Sequence, residues 1–463
     1  MSSNNNIQYS GEYKVDKLEL ITANGKFDLS GNFVQIDLFE SIFNHTMSGS
    51  LTFLDTNNLI INSPVVGQEF LKLKISSPGI INVNSINYSE NVLSVYKVGL
   101  VDDVSKGSQL IELHLISPEA LTNQRVRVSK SYVSSFQDVV EDVLTNKVYL
   151  DSRKNIFLEP SRSEMRLVSP NVHPFDLISY VASESTDEFN FNTYVFYENT
   201  QGFHFKSLSR LFENPTQANF HGGDVGTVDK KTKDVEDFNR VISYNRNGSV
   251  DMLQNIVSGM MGSNLITHNL YEKKYEKYEY NYFNPVPSIE DNGIYLNSQI
   301  DYQGRTVGDF PDSKIHLRPL SKSYTRGEND NDQNGEGDYS SLTTKGNLLT
   351  RRSKFAEMLG TINYNIQIAG YTGIKVGDMI NFSIPTVGND HGKGVENDYI
   401  SGKFLIKKLR HTFYRSPVTK HEIAMEITKD SFKIPLPTDE LEQPIKDSGF
   451  VTKVSGDDDY GGM

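Results

Sequence analysis

The chain contains neither cysteine nor tryptophan among its 463 residues. Without a thiol it has no disulfide, no thiolate nucleophile and no zinc site built on sulfur. No stretch approaches the ~18 consecutive apolar residues of a membrane-spanning helix, and Met1 to Gly11 lack the basic and apolar parts of a secretory signal. We therefore expect a protein that is made in the cytosol, is stabilised by packing, and has no stable membrane association.

Basic residues are also too few to dominate the surface. Lysine and arginine number 46 against 59 acidic residues, and the formal net charge is -13. A surface of this sign repels phosphates, so the composition disfavours sequence-specific nucleic-acid binding. The length exceeds one ordinary core and predicts about three domains of roughly 100–200 residues.

Aromatic residues are abundant, with 24 tyrosines and 25 phenylalanines set among Val, Ile, Thr, Asn and Ser. Such mixtures favour half-buried strands over helices. In the last of six short apolar runs, Leu110, Glu112 and His114 alternate with Ile111, Leu113 and Leu115, the period of a strand with one buried face. The six runs predict an antiparallel barrel or sandwich: Leu18 to Ile21, Phe33 to Leu38, Leu51 to Leu54, Phe70 to Ile75, Val92 to Val98 and Leu110 to Ile116.

The next segment changes to a helical period. A helix capped by Ser134 or Ser135 is predicted to bury Phe136, Val139, Val140, Val143 and Leu144, and a second helix follows His173 with Pro174 in its first turn. This second helix is predicted to bury Phe175, Ile178, Val181 and Ala182. Two aromatic strands, Tyr194 to Tyr197 and Phe203 to Leu208, then predict a hairpin whose turn runs from Glu198 to Gly202. We interpret His204 as an ordinary side chain between strands.

The strand pattern resumes near Val241, is interrupted between about Gly262 and Lys345, and returns from Leu348 to Thr428. The interruption contains a Tyr/Lys/Glu-rich stretch, Tyr271 to Phe283, and a polar tract, Gly327 to Tyr339, that cannot bury enough apolar surface to fold alone. The return opens with a predicted helix that bears Phe355 and Ala356 and is closed by Gly360. The later strands are predicted at Ile362 to Ala369, Met379 to Ile384, Phe404 to Phe413 and Glu422 to Thr428.

Taken together, these patterns predict a mainly β protein with two similar antiparallel β-barrel domains and an α+β middle segment. The first barrel spans 1–118, the middle domain 119–234, and the second barrel 235–262 with 345–432. An insertion with a polar loop occupies 263–344. The segment 433–463 is acidic and carries three prolines, so we expect an extended tail that becomes ordered only against a partner.

One loop has the first half of a calcium-binding pattern. Asp330, Asp332 and Asn334 precede Gly335 at the spacing of an EF-hand loop, and Asp338 stands at position nine. Position twelve is Ser341, where the pattern requires a bidentate Glu, and neither flank has a helical period. A solvated acidic loop is therefore favoured over a calcium site, and no cofactor or metal is assigned.

Other catalytic patterns are incomplete. His391, His411 and His421 share the C-terminal region, but none of them has the i, i+4 spacing of a zincin helix, so strand or surface histidines are favoured. The glycines of Gly259-Met260-Met261-Gly262-Ser263 lack the following Lys and the βα unit of a phosphate loop, which favours a flexible junction. No serine occupies a nucleophile elbow, and the many carboxylates alone do not indicate a glycosidase pair.

A run of basic residues stands out near the end of the second strand region. Only Glu422, Glu426 and Asp430 oppose it in the same stretch. A solvated strand face is favoured, and the alternative is a surface that docks an acidic partner or a neighbouring subunit. The run comprises Lys403, Lys407, Lys408, Arg410, Arg415, Lys420 and Lys429.

Several segments, in their order along the chain, resemble the baseplate hub proteins of T-even-type contractile-tailed phages. Asp37 to Phe43, Ser48 to Asp55 and Pro64 to Glu69 resemble the opening barrel of that family. The aromatic hairpin from Phe196 to Ser207, and Ile256 to Met260 leading to Ile266-Thr267-His268, are also similar. Three segments of the second predicted barrel are also similar to that family in kind and order: Ile368 to Gly370, Ile374 to Asp378 and Ser401 to Ile406.

The resemblance implies a homotrimer in which two similar barrels per chain form a ring of six. Such a ring meets a sixfold tail tube on one side and seats a threefold central spike on the other, while DNA passes through it. The implied partners are the spike (tail lysozyme or needle) protein, tail tube or tube-initiator proteins, and baseplate wedge proteins, in a virion baseplate assembled in the host cytoplasm. Three copies would carry -39, three times the -13 of one chain, which suits a channel that must not hold phosphates.

Three alternatives to a structural hub stay open. A virion-associated enzyme that degrades cell wall would need a catalytic motif that the sequence does not display. A β-rich trimeric receptor-binding protein would usually contain fibrous repeats. A spike-hub fusion of a type VI secretion system or a tailocin would carry a repetitive β-helical needle.

Overall fold

The computed structural model describes residues 9–56, 65–79, 83–105, 107–161, 164–188, 192–222, 239–247, 251–269, 273–282, 311–319, 325–326, 351, 353–356, 358, 362–386, 396–397, 399–415, 418–433 and 451–454. The calcium-like loop at Asp330, Asp332 and Asn334 lies outside these residues, as do the polar tract Gly327 to Tyr339, His391 and Gly360. Within the described parts the chain is mainly β, with large antiparallel sheets.

The first strand region contains every one of its six predicted strands. Apolar residues alternate into a shared core that includes Leu18, Leu38, Leu51, Leu73 and Leu113, all fully buried. The short second strand was not predicted, because it has no apolar run. The strands are β1 Lys14–Thr22, β2 Gly25–Asp28, β3 Phe33–Ser41, β4 Ser48–Asp55, β5 Phe70–Ser76, β6 Ile86–Ser105 and β7 Ser108–Ile116.

The middle segment has the predicted α+β character. Both predicted helices are confirmed, and each buries the predicted stripe of side chains. Ser135 stands at the N-cap of the first, but its side chain makes no capping hydrogen bond. The elements are α1 Pro118–Asn123, β8 Ser131–Ser135, α2 Phe136–Thr145, β9 Ile156–Leu158, β10 Glu164–Val168, α3 Pro174–Glu184, β11 Tyr194–Asn199, β12 Gly202–Ser207 and α4 Leu208–Phe212.

The aromatic hairpin is confirmed, but its predicted five-residue turn is wrong. Asn199 pairs with Gly202, so only Thr200 and Gln201 form the turn. Gly202 has a φ of 142°, and a Cβ added there would lie 2.2 Å from the carbonyl oxygen of Asn155. The strands therefore extend further than the apolar letters indicate, because glycine admits this close approach.

The second strand region also contains its predicted strands, and residues 351, 353–356 and 358 are helical as predicted. Its core includes Ile366, Ile380, Phe404, Ile423 and Ile427, each almost fully buried. The elements of this region and of the insertion are β13 Thr216–His221, β14 Val241–Arg246, α5 Met252–Ser258, β15 Gly262–Asn269, β16 Lys274–Asn281, a 3-10 helix Pro311–Ser313, β17 Ile315–Pro319, β18 Thr325–Arg326, β19 Ile362–Ala369, β20 Met379–Ser383, β21 Gly402–Tyr414, β22 Lys420–Lys429 and β23 Val451–Val454.

One 13-stranded sheet runs through both strand regions, and we call it the long sheet. Its main order is β14-β19-β22-β21-β3-β4-β7-β6-β5-β1-β2, and β20 and β13 branch from β21. The two regions meet where β3 pairs antiparallel with β21, from Ser41 opposite Lys408 to Gln35 opposite Tyr414. We call this pairing the seam. It joins residues about 370 positions apart, which no local pattern predicts.

The described strands form no closed barrel, so closure stays a prediction. In the first region the N–H of His421 donates to the carbonyl oxygen of Gly11 at 2.8 Å, which brings the start of β22 beside the start of β1. In the second region a single parallel bridge joins His221 to Arg240, at the ends of β13 and β14. The domain bounds predicted from the sequence also stay a prediction.

The insertion corrects three expectations. The Tyr/Lys/Glu-rich stretch forms β16, whose Tyr278 and Tyr280, with the adjoining Tyr282, are buried against Met260 and Met261. Those two methionines are fully buried, so Gly259 to Ser263 is not a flexible junction; Gly259 closes α5 in the left-handed conformation. Val451–Val454 pairs with β16, so this part of the tail is ordered against its own chain. The sheet order here is β17-β15-β16-β23.

The helices of the described residues are short. None combines the length and the apolar character that a membrane-spanning helix needs.

Candidate functional surface: the polar face of the long sheet

The six central strands of the long sheet have one apolar and one polar face. Ile366, Leu409, Ile36, Leu51 and Leu113 point into the two cores. Because successive side chains of a strand alternate, the residues between them lie on the opposite face, which we call the polar face. It comprises Asn365 and Gln367 of β19, Glu422 and Glu426 of β22, Lys408 and Arg410 of β21, Asp37 and Phe39 of β3, Ser50 and Thr52 of β4, and Glu112 and His114 of β7.

A hydrogen-bond network centred on Asp37 links the two sides of the seam on this face. Its carboxylate accepts from Arg410 Nε at 2.9 Å, from Thr412 Oγ1 at 2.7 Å and from Gln35 Nε2 at 2.6 Å. Asp37 is almost fully buried, whereas Arg410 is half exposed and lies over the ring of Phe39. A charge-assisted bond is stronger than a neutral one, so the network fixes the register of β3 against β21.

The lysines of the polar face are also paired with carboxylates. Lys420 contacts Glu422 at 2.6 Å, and Glu426 lies between Lys408 at 2.9 Å and Lys407 at 2.8 Å. Arg410 forms the remaining ion pair of this face, with Asp37. Because each cation lies beside a carboxylate, the face is polar without a strong net field of either sign.

The predicted basic run is therefore not one surface. Lys408, Arg410 and Lys420 lie on the polar face, as a solvated strand face requires, but Lys407 and Lys429 are buried. Lys407 Nζ donates to the carbonyl oxygen of Met358 and to Asn363 Oδ1, and Lys429 Nζ donates to the carbonyl oxygen of Ser401. The interpretation as a solvated face is wrong for these two residues. A β-bulge between Ile406 and Lys408 accounts for the inward direction of Lys407.

A shallow groove of about 840 Å³ crosses the polar face at the seam. Phe39 and Tyr244 provide aromatic surface, and Asn365, Gln367 and Arg410 provide hydrogen-bonding groups. The groove is broad and open.

Directly behind the seam lies a buried carboxyl group, Glu40. Its two oxygens accept the N–H of Val376 at 2.9 Å and the N–H of Thr200 at 3.3 Å. It thereby ties β3 to the loop before β20 and to the turn of the aromatic hairpin. Burial raises the pKa of Glu40 to about 8, although the two N–H groups act in the opposite direction.

Two of the three C-terminal histidines meet beside Glu40. Nδ1 of His411 and Nε2 of His421 are 3.1 Å apart, and both rings are fully buried. Burial lowers the pKa of His411 to about 3 and that of His421 well below its ordinary value, so both rings are neutral near pH 7. His204 is also buried, stacks on Phe157 and Tyr197, and bonds Asn199. Within the described ranges, no three His, Asp or Glu side chains converge as metal ligands.

The middle segment also contains a buried ion cluster that the sequence did not predict. Lys154 Nζ lies 2.7 Å from Glu119 Oε2 and 2.7 Å from Glu198 Oε1, and Glu198 also accepts the N–H of Met47. Burial alone would lower the pKa of Lys154, but the two carboxylates raise it. The members are 35 and 44 positions apart, and lysine and glutamate are common, so no local signal marks them. A pocket of about 550 Å³ lined by Glu119 and Lys154 adjoins the cluster.

Comparison with known proteins gives a likeness of fold only. No protein-family model and no curated protein sequence matches the chain. Among solved structures, it is similar to the tail protein from Neisseria meningitidis MC58, with a TM-score of 0.52 and 9% identity over 90% of this chain and 97% of that one. The chain therefore has the fold of a tail protein.

Two further solved structures cover most of the chain. The 43 kDa tail protein of prophage MuSo2 from Shewanella oneidensis has a TM-score of 0.49 and 8% identity, over 91% of this chain and 100% of that one. An E. coli type VI secretion component, said to be structurally similar to the T4 bacteriophage tail proteins gp27 and gp5, has a TM-score of 0.41 and 10% identity, over 94% and 80%. By their descriptions, the first is a prophage tail protein and the second a type VI secretion component.

Proposed function

We propose that this chain is a structural subunit of a phage baseplate hub. Three copies form a ring of six β units, each closed as a barrel, which joins the tail tube to the central spike. The observation that carries the proposal is the long sheet, in which both strand regions share one continuous sheet that is antiparallel along its main order and has a common polar face. A tail-protein fold in a solved structure supports it.

The seam explains why one chain can contribute two equivalent sectors of a ring. If β3 and β21 were free edges, each would offer unpaired N–H and C=O groups to other chains. Their pairing inside the chain, with Asp37 and Glu40 on its two sides, holds the two β units at a fixed angle. Three rigid pairs then give a threefold assembly with nearly sixfold geometry.

In this proposal the polar face lines the central channel. Its paired charges suit the passage of DNA, because a lining with unpaired lysines and arginines would bind phosphates and slow the polymer. The apolar sides of the same strands remain in the cores. The role is mechanical and assigns no catalytic step to the chain.

Native mass spectrometry of the purified chain and electron microscopy of the same sample test the proposal. We expect a mass of three 52.2 kDa chains and rings with an open centre that bind the cognate spike protein. A chain that stays monomeric at micromolar concentration and ignores the spike would contradict it. Clearing of peptidoglycan by the purified chain would favour an enzyme instead.

A further inference from the structure

Two buried histidines, which we call the histidine pair, lie at the seam. His411 of β21 stands opposite Leu38 of β3, and its Nδ1 is 3.1 Å from Nε2 of His421 on β22. A hydrogen bond between two neutral imidazoles needs one proton between the facing nitrogens. The outer nitrogens, Nε2 of His411 and Nδ1 of His421, form no hydrogen bond with any residue that the structure describes.

The surroundings of the histidine pair are tightly packed, and both rings are fully buried. The ring of Phe413 stacks on that of His421 with 4.1 Å between the centroids, and the ring of Tyr13 meets His421 edge-on at 6.4 Å. A Cβ added to Gly370 would lie 2.4 Å from Cγ of His421. Because a charge is costly to bury, a ring that gained a proton here would have to move before water could solvate it.

No charged carboxylate is placed to neutralise a proton on the histidine pair. Oε1 of Glu40 lies 4.0 Å from Nε2 of His411, but burial raises the pKa of Glu40 to about 8, so this group is uncharged in acid. The other charges nearby are paired with one another, Lys375 with Asp378, Arg410 with Asp37 and Lys420 with Glu422. The remaining titratable groups on the elements packed around the pair are Tyr9, Glu12, Tyr13, Tyr371 and Tyr414.

The histidine pair lies where residues 9–13, which we call the N-terminal segment, contact the start of β22. The N–H of His421 donates to the carbonyl oxygen of Gly11 at 2.8 Å, and a Cβ added to Gly11 would lie 2.7 Å from the carbonyl oxygen of His421. The hydroxyl group of Tyr13 donates to the carbonyl oxygen of Tyr414 at 2.8 Å. A displacement of His421 would therefore loosen the N-terminal segment, which leads into β1 of the first strand region.

Acid favours opening of the histidine pair. Burial lowers the pKa of His411 from 6.5 to about 3, and burial together with His411 lowers that of His421, although the backbone of Ile374 and of Gly370 acts in the opposite direction. The closed pair therefore binds fewer protons than an opened pair. Its advantage is complete above about pH 6.5 and is lost as the pH falls toward about 3. A proton on each ring in addition to its own places two donors face to face in the shared bond.

We propose that the histidine pair is an acid-sensitive latch. At neutral pH it fastens the N-terminal segment to the start of β22, and uptake of two protons separates the rings and releases that segment. β3 and β21 remain paired, so the opening is local. The latch lies within one chain and does not depend on the proposed hub function.

Amide hydrogen exchange of the purified chain, read by mass spectrometry from about pH 7.5 to about pH 4.5, tests the latch without any variant. After correction for the intrinsic pH dependence of exchange, residues 9–13 and 418–423 should give a ratio of opened to closed molecules that rises as the pH falls. The rise should approach about 100-fold per pH unit, a factor of ten for each ring. Residues 48–55 of β4 report global unfolding and should stay protected.

Two results of this measurement would overturn the latch. One is a ratio in the two segments that is unchanged with pH or that changes only together with β4. The other is a rise that never exceeds about tenfold per pH unit, because the two rings would then not titrate together.

His411→Gln with His421→Gln removes both titrating rings and leaves two amides that can still donate to each other. This double variant should keep the two segments closed across the pH range. His221→Gln, at an exposed position of β13, is the matched control and should open like the wild type. A double variant that opens with the wild-type pH dependence would contradict the latch. If the double variant does not fold, the pH profile of the wild type decides.

Discussion

Buried ionisable side chains concentrate where separate parts of this chain meet. Glu40 lies behind the seam, and Lys154 lies between α1 and β11. Burying such groups costs free energy, which is repaid only when every hydrogen-bonding position finds a partner. These groups therefore fix the relative positions of the segments that they join more than they add stability. Substituting them should show how much each junction depends on them.

Glu40→Gln should remove a pH dependence of folding. The folded pKa of about 8 lies above the ordinary value of 4.5, so the folded state holds a proton that the unfolded state releases between these values. The corresponding stability is complete below pH 4.5 and is lost as the pH rises through about 8, by up to about 1.4 kcal/mol per pH unit. Glutamine mimics the neutral acid and should flatten this slope.

The measurement for Glu40 is urea unfolding of both proteins at pH 5.5, about 7 and about 8.5. The control is Glu141→Gln on the exposed side of α2, which should leave the wild-type slope unchanged. A Glu40→Gln variant with the same pH profile as the wild type would show that Glu40 is ionised in the folded protein.

Lys154→Met should strongly destabilise the fold. Methionine keeps most of the apolar stem of lysine but leaves the carboxylates of Glu119 and Glu198 buried together without their cation. Breaking a buried pair in this way costs about 3–5 kcal/mol. In equilibrium unfolding, Lys130→Met is the control, because its bond to Asp142 is largely solvated and should contribute under about 1 kcal/mol. An effect of Lys154→Met as small as that of the control would contradict this role.

At the scale of elements, the seam is the junction that should respond most to a single polar residue. Asp37→Ala removes the acceptor shared by Arg410, Thr412 and Gln35, and should cost about 2–3 kcal/mol. Urea unfolding gives the loss, and amide hydrogen exchange should be fastest at β3 and β21. Glu19→Ala is the comparison: this partly exposed side chain pairs with Lys17, and its loss should cost under about 1 kcal/mol. Equal effects of the two variants would mean that the Asp37 network does not hold the seam.

Local pattern predicted most elements but not their partners. Alternation located β3 and β21, and the period of 3.6 located α2 with all five of its buried residues, because those signals are contained within one segment. β2 was missed because Gly25–Asp28 has only one large apolar residue. β16 was missed because its buried tyrosines alternate with charged residues that resemble a solvated loop.

For the candidate surface too, the sequence predicts local features but not contacts between distant residues. Alternation identifies which side chains of β21 and β22 share a face, so Lys408, Arg410, Glu422 and Glu426 could be grouped from the sequence. It could not show that Asp37 would neutralise Arg410, because the two are 373 positions apart. Nor could it show that Lys407 turns inward, since a bulge shifts the alternation by one residue.

At the scale of the whole molecule, one sheet separates two environments. Its apolar face holds the two cores together, and its polar face spans both β units without a break. The chain carries a net charge of -13, yet Asp37, Glu422 and Glu426 on this face each lie beside a lysine or an arginine. The arrangement suits a channel lining that neither binds nor strongly repels a passing polyanion.

If the polar face lines the channel as proposed, a change of its charge should create DNA binding that we do not expect of the natural chain. Glu112→Lys with Glu422→Lys alters each chain by +4, two charges for each replacement, on the face proposed to line the channel. Fluorescence anisotropy of a short duplex DNA should then show binding that weakens steeply as the salt concentration increases. Binding releases counterions from the DNA, and this release is less favourable at high salt. Glu90→Lys with Glu141→Lys adds the same charge at exposed sites away from this face and should bind far less. Equal binding by the two double variants would place the polar face on the outside of the assembly, and the channel would have to be lined by other strands.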